Sequence, residues 1–331
     1  MTIDVPLSVL DLAPVQFGNS VGEGLRATTE SARAAERLGY SRFWVAEHHN
    51  MPGIASSSPA VLLAHLAAAT STIRIGSGGV MLPNHAPLVV AEQFGTLHAL
   101  HPGRVDLGLG RAPGTDQATA LALRRTTEGL SAEGFPQELM ALMRYFDGDS
   151  ADGIVAVPGI GESPEIWLLG SSGFSAQLAA LLGLRFAFAH HFSAENTEAA
   201  LALYRQNFRP TDRLERPHAM IAVSAVCADT DEQADLLARP SELAFLNLRR
   251  GLRTPLPTLE QTANFPGTEQ ERQFVAGRRE GQLLGAPATV RRQLEDLLRR
   301  TEADEVMLNT RIYDIDDRVR SLELIMEKVV A

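Results

Sequence analysis

A single cysteine, Cys227, stands in 331 residues. That excludes an internal disulfide framework and a thiolate zinc cluster, and it is compatible with a reducing compartment. Lysine is as scarce. Lys328 is the only one, so the other 29 basic residues are arginine. With so much Ala and Leu, this reads as the codon bias of a GC-rich genome rather than selection for bidentate anion binding. Positive charge is short overall: 30 Lys and Arg against 40 Asp and Glu give a formal net charge of −10. Phosphate backbones are bound by basic surfaces, so nucleic acid is not the expected partner. Long apolar runs are missing too. The stretch 60–69 contains His65 and falls well short of the roughly 20 residues that span a bilayer. Met1-Thr2-Ile3-Asp4 offers neither a basic n-region nor an apolar h-region. The expectation is a cytoplasmic protein with no membrane partner.

What is present is ordinary globular material, 45% hydrophobic and 21% charged, which excludes a mostly disordered chain. At about 150 residues per domain the length suggests two domains, although one α/β barrel of this size is common. Short apolar runs alternate with segments of helical period. The runs at 7–12, 42–46, 73–82, 104–109, 166–169, 185–189, 220–228 and 305–309 read as strands. Helices are expected over 22–38, 58–70, 87–100, 136–146, from 174, and over 231–248, 289–300 and 316–329. Residues 112–133 show no clear period, and 251–285 are rich in Gly, Pro, Thr and Gln. Eight βα units predict a parallel sheet closed into a (β/α)8 TIM barrel. A doubly wound sheet is the alternative, but its G-x-G-x-x-G is missing after the first strand. The run from Gly108 to Gly114 has the wrong spacing and follows the fourth strand. On this reading residues 1–331 form one barrel domain, with long connections at about 112–165 and 251–285.

In such a barrel the active site lies at the C-terminal ends of the strands. Asp11 and Leu12 end the first strand, Glu47-His48-His49 the second and Ser77-Gly78-Gly79 the third. Gly110-Arg111 ends the fourth, Gly170-Ser171-Ser172 the fifth and His190-His191 the sixth. The turn from Gly170 through Ser175 opens a helix, and its N–H groups and hydroxyls suit an anion. Arg111 on the neighbouring strand could close on a phosphate with paired donors. An ordinary serine N-cap is the plainer reading of the turn alone. Gly78 and Gly79 mark either a bulge or a close approach of a flat ring to backbone. The Glu47-His48-His49 set suits proton handling or metal ligation. No H-E-x-x-H helix is present, which weakens a metal hydrolase. Each histidine here fits a structural role as well as a catalytic one. His65, His85, His98, His101 and His218 read as structural or surface residues.

At these residues the chain resembles the bacterial luciferase-like flavin monooxygenases. The matching stretches are 45–59, 73–116, 166–184 and 303–309. The order of E-H-H, G-S-G-G-V-x-L-P, L-G-L-G-R and L-G-S-S along the barrel carries the likeness. It is similar in particular to the single-chain subgroup that includes a mensacarcin-biosynthesis monooxygenase. The resemblance implies a barrel that binds reduced FMN at its C-terminal face. It assigns the phosphate to Arg111, Ser172 and Ser175, with Gly170 and Ser171 beside them. It places a non-proline cis peptide at Gly78-Gly79, under the flavin ring, with Gly110 alongside. His48 would stand near the reactive flavin edge, with Glu47 and His49 as further catalytic candidates. Asp11 and Ser77 join the cofactor contacts, and Leu12, His190 and His191 the substrate pocket. Residues 251–285 match a mobile loop that covers the site. The luciferases proper carry a cysteine where this chain has Gly110, which argues against light emission.

Reduced flavin supplies electrons to O₂, and the protein orients the acceptor. With no dinucleotide motif on the chain, a separate NAD(P)H:flavin reductase is the implied transient partner. Homodimerisation through the second and third helices is implied as well. A polycyclic aromatic polyketide, hydroxylated or epoxidised, is the substrate suggested by the resemblance. An F420-dependent hydride-transfer oxidoreductase, a non-catalytic flavin-binding protein and a metal-dependent hydrolase are the competing readings. No metal is expected.

Overall fold

The computed structural model describes residues 3–112, 116–124, 134–149, 153–162, 164–263 and 267–330. Its strands are β1 (Leu7–Asp11), β2 (Arg42–Val45), β3 (Arg74–Ser77), β4 (Val80–Met81), β5 (Val105–Gly110), β6 (Glu165–Gly170), β7 (Arg185–Phe188), β8 (Ala219–Cys227), β9 (Leu283–Gly285) and β10 (Glu305–Asn309). All pair in parallel, in the order β10-β1-β2-β3-β5-β6-β7-β8. Pairing of β8 with β10, from Met220–Glu305 to Ser224–Asn309, closes the ring. β4 resumes the course of β3 beside β5, and β9 pairs with the far end of β8. This is the expected (β/α)8 barrel.

Helices cover the outside: α1 (Val21–Arg37), α2 (Pro59–Ala69), α3 (Pro87–Leu100), α4 (Gln117–Arg124), α5 (Phe135–Asp147), α6 (Gly173–Leu181), α7 (Thr197–Asn207), α8 (Asp231–Arg249), α9 (Leu259–Ala263), α10 (Glu269–Arg279), α11 (Pro287–Thr301) and α12 (Ile315–Leu324). Their starts follow local chemistry. Ser20 and Glu23 form a reciprocal capping box on α1, as do Thr268 and Glu271 on α10, so two orphan donors are satisfied at each start. Proline opens α2, α3 and α11, where its missing N–H costs no helical bond. No described helix is long and apolar enough to cross a membrane.

Alternation along each strand separates two cores. Val9, Phe43, Val45, Ile166, Leu168, Val306 and Leu308 face the helices. Leu10, Trp44, Trp167, Met220 and Met307 face inward and fill the middle of the barrel. The two indoles meet edge to face, with centroids 5.4 Å apart. Room for them comes from glycine: a β-carbon on Gly76 would sit 2.5 Å from Trp44 Nε1. One layer below, at the N-terminal end, Arg42, Arg74 and Arg185 meet Asp106, Glu165 and Glu305 in a closed ion-pair network. One layer above, Ala46, Gly78, Gly110, Ala189 and Ala222 are small, and there the barrel opens into a cavity.

Several boundaries differ from expectation. The run 73–82 is two strands, because Gly78-Gly79 leaves the ladder through a cis peptide bond. That non-proline cis bond lies where the resemblance placed it. Residues 251–285 contain α9, α10 and β9 rather than only irregular chain. Their Gly, Pro and Thr content hides a short helix, α10, that is tied to α8 by Arg279 to Glu242 at 2.6 Å and to the α8 C-cap residue Arg250 by Glu271 at 2.8 Å. α4 occupies part of the aperiodic stretch 112–133, and 113–115 and 125–133 lie outside the described residues. The last helix passes into a π turn at Ile325–Val330.

Candidate active site

The small upper layer floors a cavity of about 300 Å³ at the C-terminal face. Eleven of the expected residues line it: Leu12, His48, Gly78, Gly79, Gly110, Arg111, Gly170, Ser171, Ser172, Ser175 and His191. One wall is bare backbone. A β-carbon on Gly78 would fall 2.7 Å from Leu10 Cδ1, on Gly79 2.7 Å from the Gly108 carbonyl oxygen, and on Gly110 2.7 Å from Met81 Sδ. Backbone excludes a side chain at Gly79, and at Gly78 and Gly110 the Leu10 and Met81 side chains would have to shift. With glycine at all three, the wall is peptide that a flat ligand can approach.

Beside that wall, β6, the immediate neighbour of β5, runs into α6. Ser172 is the N-cap of α6 in extended conformation, yet its hydroxyl makes no capping bond. The first-turn N–H groups of α6 and that hydroxyl remain available to an anion. Arg111 lies with its guanidinium 4.3 Å above the Phe174 ring, in the first turn of the same helix. Ser175 is buried in that turn. Donor set and bare wall together fit a planar ring carrying a phosphate.

Two histidines face the cavity uncharged. Burial depresses His48 to about 4, and the nearby Arg311 adds to it. Burial likewise holds His191 at about 4, against a hydrogen bond to the Ala222 carbonyl. His191 Nδ1 donates to that carbonyl at 2.9 Å, which leaves Nε2 as an acceptor. His48 Nδ1 is buried with no hydrogen-bond partner. Both rings serve as bases or hydrogen-bonding groups at pH 7, not as cations. A linkage follows. The unfolded chain protonates these rings near pH 6.5 and the folded chain only near 4, so stability falls as pH drops through that window. The loss is up to about 3 kcal/mol per histidine. Urea unfolding between pH 7 and pH 4.5 checks this. The double variant His48→Gln/His191→Gln is expected to flatten the pH slope, and an unchanged slope would count against it.

The other five expected residues lie behind the lining, and physical reasons are plain. Glu47 is fully buried and accepts from the Met81 N–H at 3.0 Å, Asn84 at 3.2 Å, His85 at 2.9 Å and His49 at 2.8 Å. Burial pushes its carboxyl up, but the His85 and His49 bonds and the Met81 N–H outweigh it and hold the pKa below the usual value. Glu47 thus holds the backbone after Gly79, His49 holds Glu47, and neither is among the residues that line the cavity. Asp11 accepts from Ala13 N–H, Thr28 and the fully buried Arg318. Ser77 exchanges two hydrogen bonds with the Gly108 backbone, clamping β3 to β5. His190 is buried against Thr197, 2.7 Å away. Among the described residues no group of His, Cys, Asp and Glu is placed to hold a metal ion.

The sequence reading passed over Asn309 and Arg311 after β10, Ser224 on β8, Phe245 on α8 and Arg278 on α10, all of which line the cavity. Applying the strand-end rule to the last strand would have reached Asn309-Thr310-Arg311. No sequence signal marks Arg278 or Phe245.

Fold and site together define a TIM barrel with a cavity at the strand ends, walled by bare peptide and by the donors at the start of α6. Comparison with known proteins makes the class specific. The profile described as luciferase-like monooxygenase matches residues 5–305, and the chain belongs to that family. It is 48% identical to a luciferase-like monooxygenase of Escherichia coli K12 over 324 residues, covering 98% of this chain and 96% of that protein. It is 32% identical over 334 residues to the N-acetyl-S-alkylcysteine monooxygenase of Bacillus subtilis 168, covering 99% of both. The crystal structure of apo-MsnO8, the mensacarcin luciferase-like monooxygenase, superposes with a TM-score of 0.91 at 38% identity, over 98% of each chain.

Proposed function

We propose that the protein is an FMN-dependent monooxygenase that receives reduced FMN from a separate NAD(P)H:flavin reductase and uses O₂ to oxygenate an organic acceptor. The observation that carries this reading is the pairing of a side-chain-free wall at Gly78, Gly79 and Gly110 with the unspent donors of Ser172, Arg111 and α6. When bound, reduced flavin supplies the electrons for O₂. In this account Arg111, Ser171, Ser172 and Ser175 hold the phosphate, with Gly170 leaving room beside Ser175. Gly78, Gly79 and Gly110 support the ring, and His48 stands ready to take a proton at its unpartnered Nδ1. His191 and Leu12 border the acceptor. Asp11, Glu47, His49, Ser77 and His190 position these groups from behind. Trp44, Phe188 and Met307 line the same cavity and help keep water out.

The likeness to MsnO8 supports an aromatic polyketide as acceptor, hydroxylated or epoxidised, in natural-product biosynthesis. The whole chain is taken as one barrel domain working in the cytoplasm as a homodimer. Val61 on α2 and Val89 and Leu100 on α3 are exposed apolar residues that suit such an interface. Anaerobic titration with reduced FMN and reduced F420 tests the cofactor. Saturable binding of reduced FMN with F420 at least about tenfold weaker supports the reading. The opposite preference would make the protein a hydride-transfer enzyme instead.

A further inference from the structure

The cavity carries positive charge beyond the Arg111 and α6 cradle. Three guanidiniums line it, those of Arg111, Arg278 and Arg311, and its one carboxylate among the described residues is Glu242. Glu242 is already committed, accepting from Arg279 at 2.6 and 2.9 Å. His48 and His191 add no compensating charge. Arg111 serves the α6 cradle, which leaves Arg278 and Arg311.

These two arrive from different elements, Arg278 near the end of α10 and Arg311 just after β10. Among the described residues neither guanidinium makes a hydrogen bond or an ion pair. Arg311 Nε is buried with no partner. Asp11 attracts Arg311, but its oxygens already serve Ala13, Thr28 and Arg318. Arg278 rests 3.8 Å above the Phe245 ring. Burial pushes both guanidiniums down from their ordinary pKa. Arg318 and Arg278 depress Arg311 further, to about 10, and Glu242 opposes the fall of Arg278. An enclosed guanidinium without an anion is unfavourable, and two that repel each other are more so. Such a pair persists where a ligand completes it. Around them the lining is apolar, with Leu10, Trp44, Phe245 and Met307.

We propose that Arg278 and Arg311 anchor the acidic group of the substrate, so that the acceptor is an amphiphilic carboxylate whose apolar body lies against Trp44, Phe245 and Met307. This rests on the flavin reading in one respect, that Arg111 and α6 are left to the cofactor phosphate. Each guanidinium can supply charge-assisted donors to a carboxylate. Coming from different elements, they would hold the acid end and so orient the rest of the molecule.

Calorimetric titration with naphthalene-1-acetate and its uncharged amide tests this, using FMN-loaded protein and the protein alone. The acid is expected to bind at least about tenfold more tightly than the amide, the scale of a charge-assisted hydrogen bond. Arg278→Gln and Arg311→Gln should each bring the two affinities within about twofold, with the ratio of FMN to riboflavin affinity unchanged. Equal binding of acid and amide by the unmodified protein, or binding of neither, overturns the proposal. So does loss of the FMN preference in these variants, which would assign the two guanidiniums to the cofactor phosphate. Should the protein fail to bind FMN, the titration without FMN still reads the acid preference, so the two readings fail separately. Arg311→Met controls for folding. Its melting temperature is expected to be unchanged or higher, because an unpaired buried charge is removed. A fall of more than about 5 °C would make Arg311 a structural support and overturn the assignment.

Discussion

Arg111→Ala is expected to weaken FMN binding by one to two orders of magnitude and riboflavin binding by less than about threefold. The two ligands differ only in the phosphate, so their ratio isolates the anion cradle. Arg111 leaves β5 at the end of the bare wall and turns over Phe174, which carries its charge to the first turn of α6. A charge-assisted hydrogen bond to a phosphate contributes about 1.5–3 kcal/mol, which sets the expected loss. The helix terminus and Ser172 stay behind, and residual FMN binding is expected from them. Quenching of flavin fluorescence measures both constants. An equal loss for the two ligands would show that Arg111 acts through the ring or through its packing on Phe174.

Arg42→Met is expected to cost the fold about 3–5 kcal/mol, the scale for breaking a buried ion pair on one side only. Arg42 spans the floor of the barrel. It donates to Asp106 at 2.9 Å, to Glu305 at 3.0 Å and to Glu165 at 3.1 Å, from strand β2 to strands β5, β10 and β6. Asp106 is fully buried and also takes Trp44 Nε1 at 2.9 Å. With Arg42 gone, Glu305 keeps Ser8 and His218 but loses its guanidinium. Arg74 is left to balance Asp106, and Glu165 is shared between Arg74 and Arg185. The floor supports the indole layer and, through it, the cavity. Denaturant unfolding measures the loss. A change under about 1 kcal/mol would place Arg42 with exposed surface pairs.

The barrel was legible in the sequence because short apolar runs and segments of helical period are local signals, and eight of each alternate along the chain. The apolar run 305–309 coincides with β10. The C-terminal strand ends led to eleven lining residues, because a parallel barrel gathers all such ends on one face. Glu47 shows the limit of that rule. Its position resembles that of its neighbour His48, yet side chains alternate, and Glu47 turns outward to hold Met81, His85 and His49. The ion-pair floor was invisible because Arg42, Asp106, Glu165 and Glu305 are far apart in sequence and meet only through closure of the barrel. Arg278 was hidden for another reason. α10 is held by contacts with α8, including Arg279 to Glu242 and the parallel Phe245 and Phe274 rings 5.8 Å apart. A helix stabilised by its neighbours leaves little periodic trace of its own.

The central claim is that this cavity takes reduced FMN and governs its reaction with O₂. Mixing the anaerobic protein and reduced FMN with oxygenated buffer in a stopped-flow spectrometer tests it most directly. The account predicts a saturable change in the rate of flavin oxidation as protein is added, and a return to the rate of free reduced FMN with Arg111→Ala at the same concentrations. Oxidation traces identical to those of free reduced FMN at every protein concentration would contradict it.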